Sequence, residues 1–194
     1  MYQTLLSDSS LYTILLKLDE DLAAEVRERG CTCGGCLHSA RYRRKARGVP
    51  CELDEAYSTR YSFCCAEEGC RRRMTPPSFR FLGRKVFAGA VVVLVTMLRH
   101  GATPSRMAQL RELVGVSYRT VKRWRDWWGC VFVKSSFWRG ARGLLRVPVD
   151  EQLLPLSLLG AFSAKEGRTK LVQLLRFILP VTTSCWCRHS ENRL

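Results

Sequence analysis

A mainly α fold carrying one small β module is predicted by this 194-residue sequence, on three observations. Seven of its ten cysteines fall between positions 31 and 70, and six of them, Cys31, Cys33, Cys36, Cys64, Cys65 and Cys70, stand in spacings that suit four thiolates around one ion. The longest apolar run, VFAGAVVVLVTML at residues 86–98, has the length of a helix buried on most sides. Residues 107–128, MAQLRELVGVSYRTVKRWRDWW, read as a helix, a tight turn and a second helix. The fold class that follows is mainly α with a small β zinc ribbon and a helix-turn-helix helical domain.

Residues 1–30 come first. Leu11, Ile14, Leu15, Leu18, Leu22 and Val26 recur at three- and four-residue steps, which predicts an N-terminal amphipathic helix over about 9–29 that Gly30 stops. Residues 31–75 form the ribbon. Cys33-x2-Cys36 and Cys65-x4-Cys70 supply the four soft ligands that tetrahedral zinc prefers. The 28 residues between the pairs, 37–64, are enough for a short β-hairpin, and β-prone Tyr61-Ser62-Phe63 leads into the second knuckle.

There are more thiols than ligands. Cys31 is the substitute in the first knuckle, Cys64 competes with Cys65, and His38 can replace one thiolate. Spacing favours Cys33 and Cys36. Gly69, just before Cys70 in a loop that must turn tightly, favours Cys65. A disulfide framework is the competing use of these thiols. The N-terminus MYQTLLSDSS has no cationic start followed by an apolar run, so a reducing cytoplasm is the expected compartment and structural zinc (Zn²⁺) the expected cofactor.

Arg71, Arg72 and Arg73 leave the ribbon as a basic cluster, and Thr75-Pro76-Pro77-Ser78 breaks the chain before a helix-turn-helix domain at residues 76–146. Gly115 can take the left-handed conformation at the turn and Ser117 can cap the second helix. Leu110, Val114, Val116, Val121 and Trp124 fall where such a motif buries its contacts. Arg111 stands four residues before the turn glycine, where a small residue usually lets the helices approach, so its stem must snorkel outward.

Tyr118, Arg119, Lys122, Arg123 and Asp126 then share the face away from Val121 and Trp124. On a duplex, arginine can give guanine two hydrogen bonds, whereas Lys122 and the flanking Arg106 and Arg125 hold phosphate; Tyr118 can do either, and Asp126 orients Arg123. Trp124, Trp127 and Trp128, at helical spacing beside Phe132 and Trp138, read as core or a dimer surface in preference to a base-stacking platform.

Charge supports the same partner. Residues 71–146 carry 17 Lys and Arg against two acids, a local +15, while residues 1–30 carry three basic and six acidic side chains. A block of that size is most simply explained if phosphates are its counterions, since each one neutralised releases condensed salt. The apolar run of 13 residues is too short to cross a bilayer, so no membrane partner is expected. Residues 147–194 read as a C-terminal helical segment and tail: a proline-punctuated apolar stretch, a short amphipathic helix over 169–179 ended by Pro180, and a ligand-poor Cys185-x-Cys187-x-His189.

The order of these parts, a Cys-rich ribbon, a basic exit with a Thr-Pro element, an apolar helix and then GVSYRTVKRWRDWW, resembles the N-terminal DNA-recognition region of bacterial insertion-sequence transposases and their small zinc-finger/helix-turn-helix regulators. The likeness covers residues 31–130. It implies binding of transposon-end or related double-stranded DNA through the second helix, with zinc structural and a nucleoid-associated location. The roles it implies are accessory factor, regulator or catalytically incomplete transposase, working with a catalytic transposase subunit or as a self-dimer. Complete transposases follow this region with a ribonuclease-H-like domain whose three carboxylates hold two metal ions. After Trp128 this chain offers only Asp150, Glu151, Glu166 and Glu191, so no enzyme activity and no catalytic residue is expected. A structured-RNA-binding zinc protein and a metal-dependent nuclease are the alternatives, the second opposed by a four-thiolate shell that leaves no open position.

Overall fold

A computed structural model describes residues 2–43, 48, 53, 55–82, 87–97 and 103–183. A short helix, α1 (Tyr2–Leu6), leads to Asp8, whose carboxylate accepts from the Ser10 N–H at 3.0 Å and starts α2 (Ser9–Arg29). Gly30 ends α2 at φ 72°, a conformation that a Cβ would strain, so the helix stops where the sequence predicts. Its buried face is turned from the predicted one. Leu11 and Leu15 are buried, but Ile14 is 38% exposed, and Tyr12, Asp19 and Ala23 go inside instead. Polar contacts explain the turn: Tyr12 donates its hydroxyl to the Leu6 carbonyl at 3.0 Å, and Asp19 accepts from Ser78, Phe79 and Arg80.

The ribbon holds β1 (Leu37–Ser39), β2 (Tyr42–Arg43), β3 (Thr59–Arg60), β4 (Phe63–Cys65) and β5 (Arg73–Met74). An antiparallel sheet of order β1-β4-β5 pairs Leu37 with Cys65, His38 with Cys64 and Cys64 with Arg73, while β2 pairs with β3. One sheet face supplies Leu37, Phe63 and Cys65, which pack with Ala23, Cys31 and Tyr61 into a small core against α2. His38, Cys64 and Arg73 form a cross-strand row on the other face.

A two-residue-strand hairpin, β6 (Phe81–Leu82) and β7 (Phe87–Ala88), opens the helical part. It takes the first residues of the apolar run, so the buried helix α3 (Gly89–Thr96) is shorter than predicted, with every residue out of solvent. Then follow α4 (Pro104–Val114), α5 (Tyr118–Asp126), a π-helical turn at Trp127–Phe132, α6 (Ser136–Ala141), α7 (Leu156–Gly160) and α8 (Gly167–Phe177). A main core joins Leu6, Leu11 and Leu15 with α3, with Val121, Trp124, Trp128, Phe132 and Trp138, and with Leu171, Leu174 and Leu175 of α8. The tryptophan cluster is therefore packing, as its spacing predicts. Among the described residues no helix is long and apolar enough to cross a membrane. Cys185, Cys187, His189 and Glu191 lie outside the described residues.

Candidate functional site

The first knuckle starts where α2 stops. The Cys31 N–H donates to the Gly35 carbonyl at 3.1 Å and the Gly34 N–H to the Cys31 carbonyl at 2.9 Å, a tight loop that Gly34 closes at φ 85°. The second knuckle follows β4: Cys70 and Arg71 both donate their N–H groups to the Glu67 carbonyl at 3.0 Å. Its left-handed residue is Arg71, at φ 41°, and Gly69 is not needed for a positive φ.

Together the knuckles bring Cys31, Cys33, Cys65 and Cys70 to within 4.8 Å of one another, sulfur to sulfur. Cys31 and Cys70 sulfurs are 3.7 Å apart, those of Cys33 and Cys65 3.5 Å. Zinc–thiolate bonds of about 2.3 Å set tetrahedral sulfur separations of about 3.8 Å, so the cluster fits the size of a zinc shell, and four soft ligands are the donor set that zinc takes. Gly35 is part of the fit. A Cβ there would stand 2.9 Å from the Cys65 sulfur, 3.3 Å from the Cys33 sulfur and 2.5 Å from Glu67 Cγ. These four cysteines could hold a metal ion such as zinc.

Three of the four predicted ligands are in the cluster, and the fourth is corrected. Cys36 is exposed and outside it, and Cys31 takes its place. The pleat decides this: Leu37 must face the small core, so its neighbours Cys36 and His38 face solvent. The same alternation selects Cys65 over Cys64, whose thiol instead points to the Arg71 carbonyl at 3.6 Å. The decisive signal was in the sequence, as an apolar residue following Cys36.

The sulfurs differ in proton affinity. The Cys33 backbone N–H, donating to the Cys31 sulfur, holds that thiol down to about 6. Burial pushes the Cys65 thiol up to about 12. The metal-free cluster thus contains one ready thiolate beside one thiol that gives up its proton only to a strong competitor such as a metal ion.

The second predicted site lies on α4 and α5. Thr103 caps α4, Gly115 ends it at φ 62°, and the Ser117 hydroxyl accepts from the Thr120 N–H to start α5. Leu110, Val114, Val116, Val121 and Trp124 are all buried and Arg111 is exposed, as the motif requires. Arg119, Lys122 and Arg123 are exposed near the centre of the outer face of α5, with Tyr118 (61% exposed) and Arg125 on its flanks; Arg106 on α4 is half-buried. Arg123 donates to the Thr120 hydroxyl at 3.4 Å, and among the described residues it forms no ion pair with Asp126. No family model, curated protein or solved structure matches this chain.

One member of the cationic block is misassigned by charge counting. Arg80 is fully buried, its Nε 2.8 Å from Asp19 Oδ2 and its terminal nitrogens on the carbonyls of Ala56, Tyr57 and Thr59 at 2.7–3.0 Å. It is a structural clamp. Nothing in the sequence separates it from its exposed neighbours except Phe79 and Phe81 on either side.

Proposed function

We propose that this chain is a zinc-stabilised DNA-binding protein of transposase type, an accessory factor, regulator or catalytically incomplete transposase, whose α5 reads a duplex in the major groove. One observation carries the reading: two helices joined through the left-handed Gly115 and the Ser117 cap, the second of which buries Val121 and Trp124 and presents Arg119, Lys122 and Arg123 to solvent. That is the arrangement by which such motifs place side chains against base edges. Arg119 and Arg123 are the base readers, Lys122, Arg106 and Arg125 hold phosphate, and Tyr118 can do either. The partner is double-stranded DNA, joined by a catalytic subunit or a second copy of the chain.

Zinc, when bound, supplies a rigid closed shell and no open position for activating water. Among the described residues the carboxylates after Trp128, Asp150, Glu151 and Glu166, serve local structure, which supports a non-enzymatic role. Asp150 accepts from the Gln152 N–H at 2.9 Å; Glu151 accepts from Trp138 Nε1 at 2.6 Å and from Arg142 at 3.2 Å; Glu166 pairs with Arg168 at 3.2 Å.

Selection of duplexes from random or genomic fragments tests the reading. Arg119→Ala or Arg123→Ala is expected to lose about 10- to 100-fold of the preference for a selected duplex, the worth of a bidentate base contact of about 1–3 kcal/mol. Lys122→Ala is expected to weaken all duplexes alike. Equal binding of parent and variants to selected and random duplexes overturns the proposal, and preference for structured RNA over duplex DNA transfers it to the RNA alternative.

A further inference from the structure

Resting on the DNA-binding reading above, we propose that the second metal knuckle is a separate phosphate-contact point made by Arg71, Arg72 and Arg73, so that the chain grips a duplex at two places. Arg71 occupies φ 41°, the left-handed region that glycine fills freely and other residues seldom take. Among the described residues its guanidinium gives the fold only a 3.6 Å pair with Glu68, whose side chain is 94% exposed. A surface pair of that kind contributes little. An arginine held where glycine suits the backbone better has its use outside the fold.

Its neighbours extend the same surface. Arg73 lies on β5 opposite Cys64, exposed, with no ion-pair partner among the described residues. Arg72 donates to the Thr32 hydroxyl at 2.7 Å, which ties the second knuckle to the first and leaves the residue exposed. Of the acids on this loop, Glu67 lies over Gly35 and Glu68 stands beside Arg71. Three guanidiniums on a short, metal-stiffened loop match the spacing-tolerant, charge-driven way proteins hold backbone phosphates.

The ribbon is also joined to the helical part. Gly48, in the ribbon arm, packs so closely that a Cβ would stand 3.1 Å from Val91 and 3.6 Å from the Trp124 ring. Arg80 meanwhile grips the carbonyls of Ala56, Tyr57 and Thr59 from the helical side. A phosphate contact on the ribbon adds to affinity without adding sequence preference.

The test uses the zinc-loaded full chain, a selected duplex and a random duplex, with affinity measured against KCl concentration. Arg71→Gly combined with Arg73→Gln is expected to flatten the slope of log affinity against log salt by about 2, since each phosphate contact contributes about 0.9. Affinity for both duplexes falls by the same factor, sequence preference stays, and zinc content is unchanged. Lysine at both positions restores the slope. Arg73→Gln alone, on an exposed strand face, flattens it by about 1 and decides the matter if the double variant loses zinc. Unchanged slopes overturn the proposal and leave the arginines as counter-charges for the thiolates. A parent that binds no duplex overturns the DNA-binding reading as well, whereas lost preference in Arg119→Ala with unchanged knuckle slopes overturns this proposal alone.

Discussion

Arg80 and Asp19 form an ion pair shut off from water, Nε to Oδ2 at 2.8 Å, between the ribbon and the helical core. The carboxylate spends its remaining capacity on the Ser78 hydroxyl at 2.5 Å and the Phe79 N–H at 2.6 Å. The guanidinium sits 5.1–5.4 Å from the ring centres of Tyr57, Tyr61 and Phe81. Burial raises the proton affinity of the Tyr57 hydroxyl well above its ordinary range, so it stays neutral beside the pair.

Removing one partner leaves the other charge stranded. Asp19→Ala is expected to cost about 3–5 kcal/mol, the penalty for an uncompensated buried ion. Urea denaturation of parent and variant measures it; a loss under 1 kcal/mol would mean that water reaches Arg80.

Ligand identity separates cleanly by substitution. Cys31→Ser, Cys33→Ser, Cys65→Ser and Cys70→Ser are each expected to lower bound zinc well below one ion per chain and to loosen the ribbon on chelation, whereas Cys36→Ser and Cys64→Ser keep it. Elemental analysis of the purified variants reads this directly. Retention of zinc by Cys31→Ser with loss in Cys36→Ser would restore the spacing-based assignment.

The cluster also predicts a proton count. Metal binding to four neutral thiols would release four protons, but Cys31, at about 6, has already lost its own at pH 7.5. Calorimetric titration of the metal-free protein in buffers of different ionisation enthalpy should therefore find fewer than four, rising as the pH falls through 6. Because Cys31 lies below its ordinary 9.0, its thiolate stabilises the metal-free fold fully above pH 9 and the gain is lost as pH falls through about 6. Cys65, at about 12, contributes below pH 9 and loses its contribution as pH rises toward 12.

Two glycines make opposite kinds of demand. Gly35→Ala inserts a methyl 2.9 Å from the Cys65 sulfur and is expected to weaken zinc retention against a chelator. Gly115→Ala meets open space but a left-handed backbone, and should cost about 1 kcal/mol without touching the metal. Gly69→Ala, with neither constraint, is the control.

The end of α2 and the turn were legible in the sequence because single residues dictate them: Gly30 stops α2, and Gly115 with Ser117 sets the step from α4 to α5. The metal cluster was legible in kind and misread at one ligand, since ligand spacing alone weighs Cys31 and Cys36 without asking which way Leu37 must face. The buried pair was not legible at all. Periodicity assigns apolar residues to a helix face and has no means of putting Asp19 there, because its partner lies 61 positions away.

Gly48 carries a consequence for how such a molecule can change. Where the backbone is left-handed at φ 81° and a Cβ would stand 3.1 Å from Val91, a ribbon transplanted from another protein seats on these helices without strain only if it brings a glycine to that spot. The two modules are therefore expected to be inherited as one unit and to resist shuffling.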